Sequence, residues 1–295
     1  ASLSVVDLKV QDDLTVTGDI DVDGITNLDV VDIDGTVNMA STLAVDGVVT
    51  ISNGSIGAPA IAFASDTDTG IYRSAANSIS IVAGGNHKFY SDTNSSLATV
   101  SAGTSNLTLG VNAGNSIVSG GNYNTVVGDE SGTALASGDY NTAVGYQSLE
   151  SEIGGQSSTA IGYRALYAQN TSNANYNTAV GRSAGSSITS GTNNTLIGGL
   201  TGDEITTGAN NVAVGTSALG ANTTASNNTA VGYDSLVSNT TGASNTAVGN
   251  QSLKLNTTGT ENTAVGTEAL VGNTTGNEND ASGRKSLFAN TTGSY

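Results

Sequence analysis

The sequence predicts an all-β protein, built as an elongated fibre with a repetitive solenoid over its C-terminal two thirds. The main observation is an Asn-Thr-Ala-Val-Gly segment that recurs at a nearly fixed spacing of 17 residues. Periods of this length indicate stacked coils rather than one globule. The composition agrees, because 37% hydrophobic residues, 39 Gly and no Trp leave few large side chains for a compact core.

The glycine that ends each copy, called the marker glycine below, sets the register of the repeat. Its steps are all 17 residues apart from one of 18 and one of 19. β-Branched residues and repeated glycines leave no helical stripe. Each copy is therefore expected to form one solenoid coil with two short strands and two corners. The marker glycines are Gly110, Gly128, Gly145, Gly162, Gly181, Gly198, Gly215, Gly232, Gly249, Gly266 and Gly283.

Stacked coils place equivalent repeat positions in columns, about 4.8 Å apart along the axis. The Val or Ile column before the marker glycine, with Val231 and Val248, is expected to face the coil interior. The Ala column, with Ala230, is expected to contact a partner chain, because the strands carry no charge before Asp280 and both faces therefore look buried. A leucine column comprises Leu149, Leu166, Leu219, Leu236, Leu253, Leu270 and Leu287. An asparagine column, suited to stacked amide hydrogen bonds, comprises Asn124, Asn141, Asn177, Asn194, Asn211, Asn228, Asn245 and Asn262.

Two further regions precede the solenoid, which is assigned to residues 101–295. Residues 1–56 show period-two apolar alternation broken by glycines, which predicts a slender β shaft built from several chains. Residues 57–100 contain the segment Asp66–Arg73 and a Gly84-Gly85 turn, and they predict a small antiparallel connector module.

Three features together resemble bacteriophage tail fibres. The stretch Asp13–Ile20 is similar to their Leu-Thr-Val-Thr-Gly shaft repeats, and Asp66–Tyr72 is similar to their Asp-Thr-Gly-Ile-Tyr module. The Asn-Thr-Ala-Val-Gly array resembles repeats of those fibres and also the head repeats of trimeric autotransporter adhesins. Two departures stand out: the adhesin coil is shorter than this one, and neither a membrane anchor nor the self-cleaving chaperone of many fibres is visible.

The resemblance implies a parallel homotrimer located in the virion, a structural fibre that contacts other tail or baseplate proteins and supports host attachment through a surface glycan or protein receptor. A bacterial surface adhesin is the alternative, with a cell-surface location. A polysaccharide depolymerase and an ice-binding solenoid rank lower. The last coil is incomplete after Gly283, so we expect the chain to be a mature or truncated product.

Few residues indicate chemistry, and we predict neither an enzyme nor a cofactor. Tyr146, Tyr163 and Tyr233 follow marker glycines and could stack on sugars, so they are the candidate glycan contacts. The acid pairs Glu150 with Glu152 and Asp203 with Glu204 could serve glycoside hydrolysis but fit solvated corners better.

Three other signals favour ordinary explanations. The segment Asp19–Gly24 imitates the start of a calcium loop, but Val30 stands where a bidentate Glu is needed, and no metal site is predicted. His87 has no His or Cys near it in the sequence, and no Ser-His-Asp set can be assembled around it, so a role in catalysis is not predicted. Asn-Thr-Thr sequons recur at Asn222, Asn239, Asn256, Asn273 and Asn290, in phase with the repeat.

A net charge of −17 argues against nucleic acid and anionic membranes as partners.

Overall fold

The structure is a computed structural model that describes residues 48–76, 78–91, 97–99 and 103–294. All regular elements in these ranges are β-strands, which confirms the all-β prediction. The predicted shaft falls almost wholly outside the described residues, and so does the calcium-like segment 19–24. From Ile51 onward the chain forms one compact unit.

The connector is a five-stranded antiparallel meander in the order β1-β2-β3-β4-β5. Gly84 and Gly85 form the turn between β3 and β4, with φ angles of 58° and 64° that favour glycine. This confirms the predicted small antiparallel sheet and its turn. Its strands are β1 (Ile61–Phe63), β2 (Asp66–Ala75), β3 (Ser78–Ala83), β4 (Asn86–Ser91) and β5 (Leu97–Thr99).

The solenoid contributes one parallel sheet of eleven strands, each paired in register with the strand one repeat later. Thr229, Ala230 and Val231 lie opposite Thr246, Ala247 and Val248, for example. The 17-residue coil is therefore confirmed. The strands are β6 (Leu107–Leu109), β7 (Thr125–Val127), β8 (Thr142–Val144), β9 (Thr159–Ile161), β10 (Thr178–Val180), β11 (Thr195–Ile197), β12 (Val212–Val214), β13 (Thr229–Val231), β14 (Thr246–Val248), β15 (Thr263–Val265) and β16 (Asp280–Ser282).

Each coil has one strand, not the two that were predicted. After the marker glycine the backbone turns repeatedly, and Gln251 and Leu253 have φ angles of 58° and 48°. Such left-handed residues cannot continue an extended strand. The coils remain paired there, because the Gln251 amide donates to the Tyr233 carbonyl at 2.9 Å and the Leu253 amide to the Ala269 carbonyl at 3.0 Å.

The marker glycine is required by close stacking of the coils. Gly249 has a φ of 144°, and a Cβ added to it would lie 2.4 Å from the carbonyl oxygen of Gly266. Neither the backbone conformation nor the space admits a side chain. The same contact recurs between successive marker glycines from Gly110 to Gly266, so this column fixes where one coil lies on the next.

The predicted facing of the strands is wrong. Ala230 and its equivalents are fully buried inside a single chain, while the Val or Ile column and the Thr column point outward and are partly exposed. The physical reason is volume: leucine, isoleucine and asparagine from the turns fill the coil interior, so the strand has room only for a small side chain in most coils. The leucine column is buried, except at Leu287 in the last coil.

The predicted asparagine column is confirmed as a hydrogen-bonded ladder. The amide nitrogen of Asn245 donates to the side-chain oxygen of Asn228 at 3.0 Å, and the Asn245 side chain donates to the Gly259 carbonyl at 2.8 Å. A second buried ladder is formed by the sequon asparagines, in which Asn256 donates to Asn239 at 2.9 Å. Asn222, Asn239, Asn256 and Asn273 are therefore core residues of the folded coil, as their repeat phase indicated.

The core is filled in two alternative ways. In seven coils the fourth residue after the marker glycine is Leu, and the seventh is Glu, Gln or Asn; in the other four the fourth is Gly and the seventh is Ile or Leu. Geometry explains the exchange, since a Cβ added at Gly202 would lie 2.7 Å from the Cδ1 of Ile205. The isoleucine of one coil type occupies the space that leucine takes in the other. The four glycine-type pairs are Gly114 with Ile117, Gly132 with Leu135, Gly185 with Ile188, and Gly202 with Ile205.

Candidate functional site

The structure brings together two of the three predicted glycan-contact tyrosines. Tyr146, Tyr163 and Tyr233 are 42%, 42% and 52% exposed, on the outer surface just after the marker glycine. Tyr146 and Tyr163 lie in adjacent coils, and their rings stack with centroids 5.9 Å apart and planes 20° apart. Tyr233 lies four coils beyond Tyr163, outside this cluster.

Arginine completes the cluster, and the sequence analysis did not identify it. The guanidinium carbon of Arg164 lies 5.5 Å from the centroid of the Tyr163 ring and 4.8 Å from that of Tyr167. Both distances are those of cation–π contacts. The Nε of Arg164 donates to the side-chain oxygen of Gln147 at 2.7 Å. These contacts hold the guanidinium in one orientation on the surface.

The next coil supplies the opposite wall of a cleft of about 460 Å³. Arg182 follows its marker glycine and so lies in the same column as Tyr163, one coil later. The hydroxyl-bearing residues Ser183 and Ser186 lie beside it. The coils are held together beneath the cleft, because the Ser183 amide donates to the Tyr163 carbonyl at 2.7 Å and the Ala168 amide to the Ser186 carbonyl at 3.0 Å. The cleft floor is thus rigid backbone.

Two preceding coils add a series of side-chain hydrogen bonds that runs from Arg164 through Gln147 to the carboxylate of Glu130. The side chain of Gln147 donates to Glu130 at 2.7 Å while accepting from Arg164, so the glutamine links the two charges. Desolvation, and then the nearby carboxylate of Glu130, raise the pKa of Tyr146 above its ordinary value. Tyr146 therefore stays a neutral phenol at physiological pH, and it supports Tyr163 by stacking.

The acid pairs do not form paired catalytic carboxylates. Glu152 is fully buried and accepts five hydrogen bonds, from the amides of Ile153, Gly155 and Thr171 and from the side chains of Gln169 and Asn175. It occupies the interior position that Asn holds in later coils, so it anchors the corner rather than reaching a substrate. Glu150 is only half-buried.

Asp203 is half-buried beside the exposed Glu204. Burial, and then the neighbouring charge of Glu204, raise the pKa of the Asp203 carboxyl above its ordinary value.

His87 lies in the connector, where its Nε2 is 3.2 Å from the Tyr72 hydroxyl and the two rings stack at 5.7 Å. Within the described ranges, His, Asp and Glu side chains nowhere gather in groups that could hold a metal ion. The same ranges include no helix of membrane-spanning length and hydropathy.

Arg164, Tyr167 and Arg182 could have been found by reading the repeat in columns. The second position after the marker glycine mostly holds small, amide or acidic residues but is Arg164 in the coil starting at Gly162, and the fifth position is Tyr only at Tyr167 of the same coil. The first position is basic only at Arg182 and Arg284. The signal is the departure from the column, which a search for linear motifs does not detect. Comparison of the chain with protein-family models, with curated proteins and with solved structures found no match in any of the three.

Proposed function

We propose that the chain is a segment of a structural virion fibre, a rigid spacer that assembles from parallel copies and supports attachment to a host cell. One observation carries the proposal. The outward face of the solenoid sheet has two positions in each of eleven strands, and Asp280 is the only charged residue among them. The chain has a net charge of −17, yet this face has no charge apart from Asp280 and consists mostly of Thr and Val, as expected for a surface that another protein covers.

The size of the face agrees with a contact between copies. Eleven strands stacked at about 4.8 Å give a length of roughly 50 Å, and three residues per strand give a width of about 10 Å. The face therefore offers about 500 Å² per chain, or about 1,000 Å² for a pair of chains, which reaches the lower limit for a specific interface. A second copy is the occupant we favour, because equal repeat spacing lets two such faces match along their whole length.

The connector supports the same assembly. Cross-strand register places Ile61, Ile71, Ile81 and Phe89 in one row on one face of the sheet. That face is open to solvent, with Phe63 65% and Ile79 58% exposed, whereas Ser80 on the other face is fully buried. The buried face of this sheet includes serine and its exposed face carries isoleucine, so the exposed face is an apolar surface that a partner can cover. Parallel copies would bring identical connectors together.

The number of copies and the location come from the resemblance, which implies a homotrimer in a phage tail, with other tail or baseplate proteins as neighbours. The head of a bacterial trimeric adhesin remains the alternative, and it makes the same prediction of assembly. The solenoid works in either case as a spacer of fixed length that presents several copies of any ligand site at once.

The test is the mass of the full chain in native solution. It is measured for the parent, for a variant in the proposed contact and for a variant at an exposed corner outside it. The parent is expected to be a stable trimer. Val231→Glu puts a charge into the proposed contact and should shift the mass toward the monomer. Thr241→Glu, at an exposed corner of the same repeat, should leave the trimer intact. A monomeric parent, or equal behaviour of the two variants, would refute the proposal.

A monomeric parent would favour the ice-binding alternative. That function calls for Thr-x-Thr strands, whereas these strands read Thr-Ala-Val, so the two outward rows are Thr and Val and the alanine between them points inward. The outward rows of Thr and Val are regular in two directions, which recognition of a crystal lattice requires. Freezing-point depression by the monomer beyond that of a matched control protein would support this second candidate.

A further inference from the structure

We propose that the cleft formed by Tyr163, Arg164, Tyr167 and Arg182 binds a single carboxylate-bearing sugar within a glycan. The inference adds a ligand class to the proposed attachment role, but it rests on residues of one chain. It can therefore hold or fail independently of fibre assembly. The two arginines, the two rings and the width of the positive stretch each restrict the ligand.

The guanidinium groups are available to an anion. Arg164 uses Nε for Gln147 and its faces for the tyrosine rings, and neither terminal nitrogen has a hydrogen-bond partner among the described residues. Arg182 is exposed and forms neither an ion pair nor a side-chain hydrogen bond in that part of the chain. By contrast, Lys254 is paired with Asp234 and Lys285 with Glu268, both at 3.1 Å. A guanidinium with free terminal nitrogens is suited to a bidentate contact with a carboxylate.

The remaining walls fit a sugar better than an acidic peptide. The exposed ring of Tyr163 offers an apolar surface on which a pyranose can stack, and its position is fixed by Tyr146 behind it. Ser183 and Ser186 offer hydroxyls to the hydroxyl groups of a ligand. The cleft includes no deep apolar pocket for a side chain, since Ala168 is the one aliphatic residue lining it.

The positive stretch is short. Arg164 and Arg182 lie in adjacent coils, whereas Glu150 lies one coil before them and Asp203 one coil after. At about 4.8 Å per coil the stretch spans roughly 10 Å, the size of one or two sugar units. A densely charged polyanion would extend onto the acidic coils at both sides. The geometry therefore selects one acidic sugar flanked by neutral ones.

Calorimetric titration of the full chain tests the proposal. Sialyllactose and a tetrasaccharide containing glucuronic acid carry the two common sources of a sugar carboxylate, and at least one should bind in a saturable manner. Lactose lacks the carboxylate, and acetate lacks the sugar ring. A heparin fragment carries a run of charges longer than the positive stretch. Each of these three should bind at least about tenfold more weakly.

The variants locate the binding. Arg182→Gln and Tyr163→Ala should each weaken binding by about tenfold or more, because one removes a charge-assisted contact and the other the stacking surface. Arg284→Gln and Tyr233→Ala change the same repeat positions in other coils and should bind like the parent. No saturable binding of either acidic sugar, equal binding of lactose, acetate or heparin, or equal effects of the variants and their controls would each overturn the proposal.

Discussion

Exchanging the two ways of filling the core is the sharpest test of the solenoid's packing. Leu219 is fully buried in a leucine-type coil, with Asn222 as its seventh-position partner, and the preceding coil is of the glycine type. Converting this pair to the other type, Leu219→Gly with Asn222→Ile, should cost far less than the sum of the two single changes. The reason is that the new isoleucine would extend into the volume that the leucine leaves, as Ile205 does beside Gly202.

The magnitudes follow from the contacts. Leu219→Gly alone opens a cavity that costs about 3–5 kcal/mol, and relief of the leucine's left-handed φ of 55° returns about 1 kcal/mol. Asn222→Ile alone overfills the coil beside Leu219 and costs about 1–3 kcal/mol.

Few hydrogen bonds oppose the isoleucine. Asn211 still donates to the Ala225 carbonyl that Asn222 would release, at 3.0 Å, and Asn239 still donates to Gly242 at 2.8 Å. The double variant should therefore lose only about 1–2 kcal/mol, whereas the single changes together cost about 3–7 kcal/mol, so the coupling energy is roughly 2–5 kcal/mol.

Hydrogen exchange of the native chain is the suitable assay, because stacked coils can open locally and need not unfold as one unit. The single variants should speed exchange in the coil that contains Leu219 and in its two neighbours, and the double variant should largely restore protection. Leu219→Gly combined with Asn256→Ile, two coils away, is the matched control and should be additive. Additive effects in the adjacent pair as well would refute the volume argument.

Three further predictions use single substitutions. Gly249→Ala should cost about 3 kcal/mol or more, because its Cβ would lie 2.4 Å from the Gly266 carbonyl oxygen, whereas Gly199→Ala, with nothing within 4 Å, should be nearly neutral in chemical unfolding. Asn239→Ala should cost about 1–3 kcal/mol because it leaves a void in the core and removes the oxygen that accepts from Asn256 at 2.9 Å, although Asn228 still donates to the Gly242 carbonyl; a melting temperature equal to that of Thr241→Ala would contradict the ladder. Asp203→Asn should stabilise the fold by a few tenths of a kcal/mol at pH 7 and not at pH 2. The folded-state pKa of Asp203 is raised, so its ionised form disfavours folding as pH rises through that pKa, although solvent screens part of the effect. Equal melting shifts at both pH values would show that the ionised carboxylate is not the cause.

The sequence alone determined the solenoid, the coil length, the strand before each marker glycine and the asparagine ladder, whereas the second strand predicted for each coil was wrong. A repeat of fixed period forces equivalent residues into one column, and a column of identical amides can bond only along the axis. Marker glycines such as Gly249 also showed where the strand ends, since glycine at a fixed phase indicates a backbone conformation that other residues avoid.

Tertiary structure alone decided which side of each strand is inside. In Thr246-Ala247-Val248 the alternation separates two faces, but neither carries a charge, and hydrophobicity favours burying the valine. The interior volume decides otherwise, because Leu253 and Asn256 enter it from the turns and leave space only for Ala247. The Tyr–Arg cleft depends on the same kind of information. Tyr163, Arg164 and Arg182 become neighbours because left-handed turns at fixed positions direct their side chains outward and coil stacking places them one step apart. The sequence pattern gives neither the volume of the coil interior nor the direction of these side chains, so both are known only from the folded structure.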